Sequence, residues 1–268
     1  MTSRALPLIL ATVACGMALL FTMPAVAGVD DYPEKFSHWM QPQNWERDTD
    51  GPVVQLGPEG DFDDTHIFAP CVTLEDDEYR LWYCGSQGSV AERVFRLGLA
   101  TSPDGRTFAK HSANPVFEFG DGEHSILTPT LLRQTNGQPL RENGRLRMWF
   151  SATAFAKNSV HNLHETHSDD GITFDAPSEP QLSGVYAPTI LKTGDEYQMW
   201  YTDVSAEPWC FRHAVSKDGK TWKVTPDPVL RIGQKWERGR LFYPTVVKSG
   251  DDYLMWYGSY WSEFDGKT

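Results

Sequence analysis

Short runs in which apolar and polar residues alternate recur along the chain after residue 65. Residues 79–83 and 197–201 are examples, and both are rich in residues that favour strands. Polar turns separate the runs, and several contain Asp-Gly, which suits a hairpin because glycine adopts a positive φ without strain. Residues 28–268 show no helical periodicity. The pattern therefore predicts an all-β chain.

One arrangement of strands repeats four times. Each repeat begins at an X-Pro step, and successive prolines lie 59, 59 and 56 residues apart, at Pro70, Pro129, Pro188 and Pro244. An aromatic pair ends the second strand of each repeat, at Trp82-Tyr83, Trp149-Phe150, Trp200-Tyr201 and Trp256-Tyr257. In the first three repeats a third strand ends in Ser-x-Asp-Gly-x-Thr, at residues 102–107, 168–173 and 216–221, and a short Pro-led strand follows. Four strands in nearly 60 residues is the period of a β-propeller blade.

The two ends of the repeat array are incomplete in complementary ways. Residues 45–54 copy the last strand of a repeat, and the fourth repeat stops at Thr268 after two strands. An N-terminal outer strand commonly completes the last blade of a propeller. We therefore predict a five-bladed β-propeller of four-stranded blades over residues 28–268, incomplete at its C-terminus by about one to one and a half blades. If residue 268 is the true terminus, the ring must be open or unusually small.

The first 27 residues have the pattern of a secretory signal peptide. Arg4 supplies a positive charge, residues 5–23 are apolar, and Ala25-Val26-Ala27 is a small-x-small cleavage pattern. A single membrane anchor is the alternative, since about 20 apolar residues can span a bilayer. Pro7 and Pro24 favour cleavage. We therefore predict a secreted or periplasmic protein that has no membrane association after the signal is removed.

Composition narrows the classes of function. Aromatic residues make up 13% of the chain, which supplies enough apolar area for a core and excludes a disordered protein. The formal net charge of -12 argues against a nucleic-acid partner, whose phosphates need a basic face. The sequence contains no P-loop, Gly-rich dinucleotide motif, HExxH or G-x-S-x-G. These motifs therefore offer no indication of nucleotide, metalloprotease or serine-hydrolase chemistry.

Cysteine and histidine spacing predicts neither a metal nor a cofactor. Cys71, Cys84 and Cys210 lack C-x-x-C spacing, which is poor evidence for zinc. A symmetric hairpin around residues 76–78 would place Cys71 opposite Cys84, which leaves a disulfide and two buried thiols as equal alternatives. The histidines at 161, 164 and 167 alternate faces on a strand, so they cannot all reach one ion. A solvated edge strand is the interpretation we favour for them.

The X-Pro, Trp-Tyr, Ser-x-Asp-Gly-x-Thr and Pro-Val-Leu elements resemble the five-bladed propellers of glycoside hydrolase families 43, 62, 32, 68 and 130. The resemblance covers residues 39–268. It implies a substrate funnel on the axis between the innermost strands, with catalytic carboxylates from different blades. The Ser-x-Asp-Gly turns also resemble the Asp-box of sialidases, although hairpin turns are the interpretation we favour. Family 43 has acids at positions that hold Ala69, Thr128 and Tyr186 here, so no acid can be carried over.

An internal alignment on the four prolines supplies candidate site residues instead. The position six residues before the proline holds Asp64, Glu123, Leu182 and Arg238 in successive repeats. Asp64 and Glu123 form an acidic pair from adjacent blades, and glycosidic cleavage requires one protonated and one ionised carboxyl. We therefore predict that they are catalytic, and solvated loop acids are an equally weighted alternative. The residues predicted to line the funnel and bind hydroxyls are His66, His124, Tyr186, Glu237, Arg238 and Tyr243.

These residues predict a carbohydrate-active protein whose partner is an oligo- or polysaccharide. We favour a glycosidase, and a non-catalytic carbohydrate-binding propeller is the alternative. A glycoside phosphorylase is a third interpretation, and the pair Arg238 and Arg240 is the basic cluster that could bind phosphate. Trp209 and Trp261 fall in loops after the second strands, where an indole could stack on a sugar, although packing is the commoner fate of tryptophan.

Overall fold

The computed structural model describes residues 34–39, 41–89, 92–237 and 239–261. The predicted signal peptide lies outside the described residues. The chain divides into two compact units, one up to Asp48 and the other from Thr49 onward. The first contains a 3-10 helix at Glu34–Phe36. The second consists of strands and loops, and the described residues of this unit include no helix. No described helix of either unit is long and apolar enough to cross a membrane.

The described strands of the second unit form four antiparallel sheets. The first contains β1 (His66–Glu75), β2 (Glu78–Ser86), β3 (Arg96–Ser102) and β4 (Ala109–Lys110). The second contains β5 (Ser125–Leu131), β6 (Leu146–Thr153), β7 (Asn162–Ser168) and β8 (Leu182–Ser183). The third contains β9 (Val185–Thr193), β10 (Glu196–Asp203), β11 (Cys210–Ser216) and β12 (Lys223–Val224). The fourth pairs β13 (Gly239–Ser249) with β14 (Asp252–Trp261).

The sheets pack face to face in chain order, as propeller blades do. β1 packs against β5, β5 against β9 and β9 against β13, and the second strand of each sheet packs on the first strand of the next. The core lies between the sheets, where Trp82 and Leu99 of the first sheet join Ile126 and Phe150 of the second. The prediction of an all-β, propeller-like fold is confirmed. A total of five blades and an incomplete C-terminus remain predictions.

Each innermost strand has the same bulge at its X-Pro step. In β1, Phe68 pairs with Cys84 and Cys71 pairs with Trp82, so β1 has one extra residue over this stretch. The residues before the four prolines all have a positive φ, namely Ala69 (53°), Thr128 (48°), Ala187 (49°) and Tyr243 (56°). A positive φ is rare for a residue with a side chain, above all for β-branched threonine, and bulges redirect side chains. The four bulges lie at equivalent positions of the repeat, so each innermost strand changes direction at the same point along its length.

The Ser-x-Asp-Gly segments form turns that also join neighbouring sheets. Asp104 Oδ1 accepts hydrogen bonds of 2.8 Å from the backbone N–H groups of Thr107 and Arg106, and these bonds lower the pKa of Asp104 to about 2. The indole of Trp82 in the first sheet donates a 2.9 Å hydrogen bond to the Gly171 carbonyl in the turn of the second. Trp149 donates equally to Gly219 in the turn of the third. The hairpin-turn interpretation is confirmed.

The predicted hairpin register around the cysteines was wrong. Glu75 pairs with Glu78 across a two-residue turn, so the turn is centred one residue earlier than the symmetric alignment requires. This shift and the bulge place Cys71 opposite Trp82 and Cys84 opposite Phe68. Both cysteines are buried free thiols.

Two predictions about outer strands also differ from the structure. The predicted fourth strands are divided into shorter pieces: β4 pairs with β3 at residues 109–110, and Phe117 forms a separate bridge to Leu97. The described residues between 41 and 65 form no strand, and Val54 packs beside Leu81 on the first sheet. The predicted outer strand at residues 45–54 is therefore absent from the described chain.

Candidate functional site

A cavity of about 380 Å³ lies where the four innermost strands meet, ahead of the bulges. We call it the axial cavity. Its lining residues are His66, Phe68, Arg93, Phe95, Leu127, Phe155, His161, Tyr186, Trp209, Phe242, Tyr243 and Tyr260. A volume of this size falls within the range of small-molecule sites, which are largely apolar with a few convergent polar groups. A second cavity of about 240 Å³ is lined mainly by the X-Pro-X residues of the four innermost strands.

Aromatic rings form a continuous series along the wall of the axial cavity, and we call this series the aromatic belt. Its members are His66, Phe95, Phe155, His161, Tyr186, Trp209, Tyr260 and Phe242, and successive ring centroids lie 4.8–6.3 Å apart. Rings at this spacing hold one another in place through edge and tilted contacts. The belt therefore presents fixed apolar surfaces to whatever occupies the cavity. The C–H faces of a sugar ring match such surfaces.

Two tyrosine hydroxyls meet at one side of the cavity. The hydroxyl oxygens of Tyr186 and Tyr243 lie 2.8 Å apart, so one hydroxyl donates to the other. Burial raises the pKa of Tyr186, and it also raises the pKa of Tyr243 despite an opposing contribution from the hydrogen bond. Both phenols therefore stay protonated at neutral pH. The pair retains one O–H hydrogen and several lone pairs for a polar ligand.

His161 also lines the axial cavity. Its Nδ1 is buried and has no hydrogen-bond partner among the described residues. Burial lowers the pKa of His161 to about 4, so the imidazole is neutral at neutral pH. A neutral imidazole has one donor and one acceptor nitrogen, both of which suit a sugar hydroxyl.

Two arginines stack on rings of the belt. The guanidinium carbon of Arg93 lies 4.8 Å from the centroid of Phe155 and 5.9 Å from that of Phe95. The guanidinium carbon of Arg240 lies 4.4 Å from the centroid of Trp209. Arg240 also donates a 2.5 Å hydrogen bond to the carboxylate of Glu207, which neutralises its charge. Arg93 itself lines the axial cavity and places a positive charge there.

No aspartate or glutamate is among the described residues that line the axial cavity. Asp64 lies two residues before His66, on the loop that enters β1. Its carboxylate accepts 2.8 Å hydrogen bonds from the Gly60 N–H and the Thr65 hydroxyl, and these bonds hold its pKa below the usual value. Glu123 is exposed on the loop that enters β5. Both predicted carboxylates therefore lie on loops outside the lining.

The predicted hydroxyl-binding residues divide into two groups. His66, Tyr186 and Tyr243 lie together in the axial cavity. His124 and Glu237 are not among the lining residues: the His124 ring lies 2.5 Å from the Asp121 carboxylate, and Glu237 accepts a 2.5 Å hydrogen bond from the Tyr257 hydroxyl. Arg238 lies outside the described residues.

Glu237 has the contacts of a structural residue. Its other carboxylate oxygen accepts 2.6 Å hydrogen bonds from the N–H groups of Gly233 and Gln234. Burial raises its pKa, but the hydrogen bonds from Tyr257 and these N–H groups outweigh that effect and lower it. A carboxylate held by three donors organises its own loop.

Sequence reasoning missed most of the aromatic belt. Arg93, Phe155 and His161 lie in the loops between the second and third strands of their repeats, and Trp209, which the sequence did indicate, lies in the same loop of the third repeat. An aromatic or basic residue in this loop of each of the first three repeats was the available signal. His161 had been grouped with His164, which instead is buried and stacks on Phe150 at 5.8 Å.

The interpretation of a solvated edge strand for these histidines was wrong. β7, which contains His164 and His167, has a neighbouring strand on both sides. Across the described residues, no group of three or more His, Cys, Asp or Glu side chains is arranged to hold a metal ion.

Sequence comparison finds distant relatives. No protein-family model matches the chain. Uncharacterized protein MT1551 of Mycobacterium tuberculosis (strain CDC 1551 / Oshkosh) is 22% identical over 221 residues, which cover 77% of this chain and 71% of the relative. Uncharacterized protein Rv1502 of Mycobacterium tuberculosis (strain ATCC 25618 / H37Rv) matches with the same identity and coverage.

Solved structures show the fold more clearly. A solved complex of BT0996 with RGII has a TM-score of 0.60 at 16% identity, and the match covers 76% of this chain and 68% of BT0996. The β-1,2-mannobiose phosphorylase from Listeria innocua has a TM-score of 0.56 at 17% identity, with 79% and 59% coverage. The GH32 β-fructofuranosidase BmSUC1 of Bombyx mori has a TM-score of 0.50 at 14% identity, with 69% and 41% coverage. The structural neighbours are thus glycoside hydrolase-like propeller enzymes.

Proposed function

Since the chain has the fold of the propeller glycoside hydrolases and phosphorylases, we propose that it binds an oligosaccharide in the axial cavity. The observation that carries this proposal is the aromatic belt, which lines the cavity together with the tyrosine hydroxyls. Sugars combine apolar C–H faces with a rim of hydroxyls. The rings suit the faces, while the tyrosine pair and the neutral His161 suit the hydroxyls. Fold alone does not determine activity, so the proposal rests on this site.

Glycosidic cleavage by Asp64 and Glu123 is the second candidate function. It is favoured by the placement of the two carboxylates on the loops that enter β1 and β5, neighbouring strands that pack together. His66 and Leu127, just beyond these loops, line the axial cavity. Asp64, whose pKa is lowered, suits the carboxyl that stays ionised, and Glu123 would supply the proton to the leaving oxygen.

Phosphorolysis has less support. Of the two arginines that could bind phosphate, Arg240 is paired with Glu207, and Arg238 lies outside the described residues. We further propose that residues 1–27 direct export and that the protein acts in a secreted or periplasmic location. The expected partner is a carbohydrate rather than a nucleic acid, in keeping with the net charge of -12.

Calorimetric titration with a panel of oligosaccharides tests the binding proposal. Trp209→Ala and Phe155→Ala each remove one ring of the belt and are expected to weaken binding about tenfold. Trp45→Ala is the matched control, because Trp45 is 76% exposed and is not a lining residue. Binding unaffected by both belt variants would show that the axial cavity is not the site.

Product release from the tightest-binding oligosaccharide tests cleavage. Asp64→Asn and Glu123→Gln are each expected to slow hydrolysis about 100-fold or more while leaving affinity nearly unchanged. Asp61→Asn, on the same loop as Asp64, is the control. A protein that binds sugars without releasing product is a carbohydrate-binding propeller, and an active enzyme insensitive to both substitutions has its acids elsewhere.

A further inference from the structure

The axial cavity and the second cavity follow one another along the innermost strands, and we call the second one the lower cavity. The second residue before each X-Pro proline lines the axial cavity, at Phe68, Leu127, Tyr186 and Phe242. The residue directly before each proline lines the lower cavity, at Ala69, Thr128, Ala187 and Tyr243. The bulges interrupt the strand pairing between these two sets of residues and the residues that follow the prolines. Each innermost strand therefore passes from one cavity to the other at its bulge.

Tyr243 differs from the residues at the equivalent position of the other three repeats. Those residues are alanine, threonine and alanine, whose side chains are short. Among the described residues, Tyr243 is also the one that lines both the axial cavity and the lower cavity. The fourth repeat therefore places a bulky side chain at the boundary between the two cavities, where the other three repeats place small ones.

Neighbouring rings hold the Tyr243 side chain across this boundary. Its ring centroid lies 4.9 Å from that of Phe242 and 5.6 Å from that of Tyr186. Its hydroxyl oxygen lies 2.8 Å from the hydroxyl oxygen of Tyr186, which lines the axial cavity. The backbone φ of Tyr243 is 56°, which is rare for a bulky residue and persists where the surroundings hold it. These contacts fix the phenol ring between the two cavities.

We propose that Tyr243 is a specificity-determining residue, which separates the axial cavity from the lower cavity and limits how far a bound oligosaccharide extends along the axis. This inference rests on the proposed function and adds the residue that sets the length of the ligand. A sugar ring in the axial cavity packs on the aromatic belt and meets the phenol ring of Tyr243. A substituent that points from this sugar toward the lower cavity is therefore excluded.

Titration calorimetry with size-matched sugars tests the proposal on the full chain. The probes are benzyl ethers of the tightest-binding oligosaccharide of the panel, substituted at one hydroxyl of either terminal residue, and the corresponding methyl ethers. Each pair loses the same hydroxyl, and the benzyl ether adds a ring. A cavity of about 150 Å³ can hold benzene, so the lower cavity of about 240 Å³ has room for this ring. Because Tyr243 blocks the way, the wild type is expected to bind at least one benzyl ether about tenfold more weakly than its methyl ether.

Variants assign this difference to the Tyr243 ring. Tyr243→Ala is expected to bring the excluded benzyl ether within about threefold of its methyl ether, and Tyr243→Thr, the residue of the second repeat, is a second variant with the same expectation. Tyr243→Phe keeps the ring and loses the hydroxyl, so the difference should persist. Phe242→Ala is the matched control, because Phe242 lines the axial cavity but not the lower cavity. It should weaken both ethers alike, and circular dichroism of each variant confirms folding.

The outcomes separate this inference from the proposed function. Benzyl ethers that all bind the wild type as tightly as their methyl ethers would overturn the separating role of Tyr243 and leave carbohydrate binding intact. A difference that persists in the folded alanine and threonine variants, or that disappears in Phe242→Ala, would assign the exclusion to other residues. A difference lost in Tyr243→Phe would assign it to the hydroxyl pair rather than to the ring. A protein that binds no member of the panel would contradict the proposed function itself.

Discussion

Two arginines of this protein stack on aromatic rings in different surroundings. Arg147 lies 4.5 Å from the centroid of Trp149, at the joint between the second and third sheets, and donates to Glu165 at 2.6 Å and Glu142 at 3.1 Å. Arg93 lies against Phe155 in a cavity whose described lining has no carboxylate. The same cation–π geometry therefore serves two purposes. Arg147 joins two sheets through its ion pairs, whereas Arg93 lies on a ring in the wall of a cavity.

Arg147 also forms hydrogen bonds with residues of the third repeat. Its guanidinium donates a 2.8 Å hydrogen bond to the Asp218 carbonyl, in the turn that follows β11, and a 3.2 Å hydrogen bond to the Tyr197 hydroxyl in β10. Lys192 and Tyr197 in turn both donate to Glu142. Buried charges are tolerated when each has a partner and the remaining donors are satisfied. The network is therefore a structural element rather than a second site.

The largest expected effect is the loss of stability when Arg147, which joins the second and third sheets, is replaced. Arg147→Met would leave Glu165, whose side chain is 4% exposed, as a buried carboxylate without its main partner. We expect a loss of about 3–5 kcal/mol in the free energy of unfolding, measured by urea denaturation. The double variant Arg147→Met/Glu165→Gln removes the stranded charge and should recover part of this loss. An Arg147→Met protein as stable as the wild type would contradict the structural role.

The second-largest effect is the pH dependence of stability that arises from His161 in the cavity wall. The pKa of His161 is about 4 in the fold, against 6.5 in the unfolded chain, because its ring is buried. As the pH decreases, the unfolded chain takes up a proton at His161 before the folded protein does, and this favours unfolding. Above pH 6.5 His161 therefore causes no loss of stability, and the loss grows as the pH decreases toward 4. It amounts to at most about 3 kcal/mol. His161→Gln should flatten the decline in melting temperature over this range, and an unchanged slope would contradict the prediction.

A smaller effect on stability is expected when the hydroxyl of Tyr197 or of Tyr186 is removed. Tyr197→Phe removes a hydroxyl that contacts Arg147, Lys192 and Glu142, and it should lower stability by about 1–2 kcal/mol in urea denaturation. Tyr186→Phe removes a hydroxyl that pairs with Tyr243 alone among the described contacts, and it should cost less than about 1 kcal/mol. A reversed order of the two variants would show that the cavity, rather than the joint, stabilises the fold.

The smallest effect is expected for Arg93→Met. The substitution loses a cation–π contact worth about 0.5–1 kcal/mol and leaves no buried carboxylate among the cavity residues. Stability in urea should therefore change by less than about 1 kcal/mol. A destabilisation equal to that of Arg147→Met would remove the distinction between the two arginines.

Three of the predicted site residues, His66, Tyr186 and Tyr243, reach the axial cavity because they precede the X-Pro steps of innermost strands. Alignment on the prolines could find such residues because it marks the innermost strands, although the three lie four, two and one residues before their prolines. It could not find Arg93 or Phe155, because the loops that hold them differ in length and composition from repeat to repeat. It also could not show that Asp64 would be held by Gly60 and Thr65 on its own loop.

The sequence by itself determined the strands, the repeat and the Ser-x-Asp-Gly turns. These depend on local properties: alternation of apolar residues, turn chemistry and hydrogen bonds within a few residues of Asp104. Only the tertiary structure decided which side chains share the axial cavity. His66 and Tyr260 are almost 200 residues apart in the chain and line one wall. Their proximity depends on how four sheets pack and on the bulges that redirect the innermost strands, and no local pattern encodes those distances.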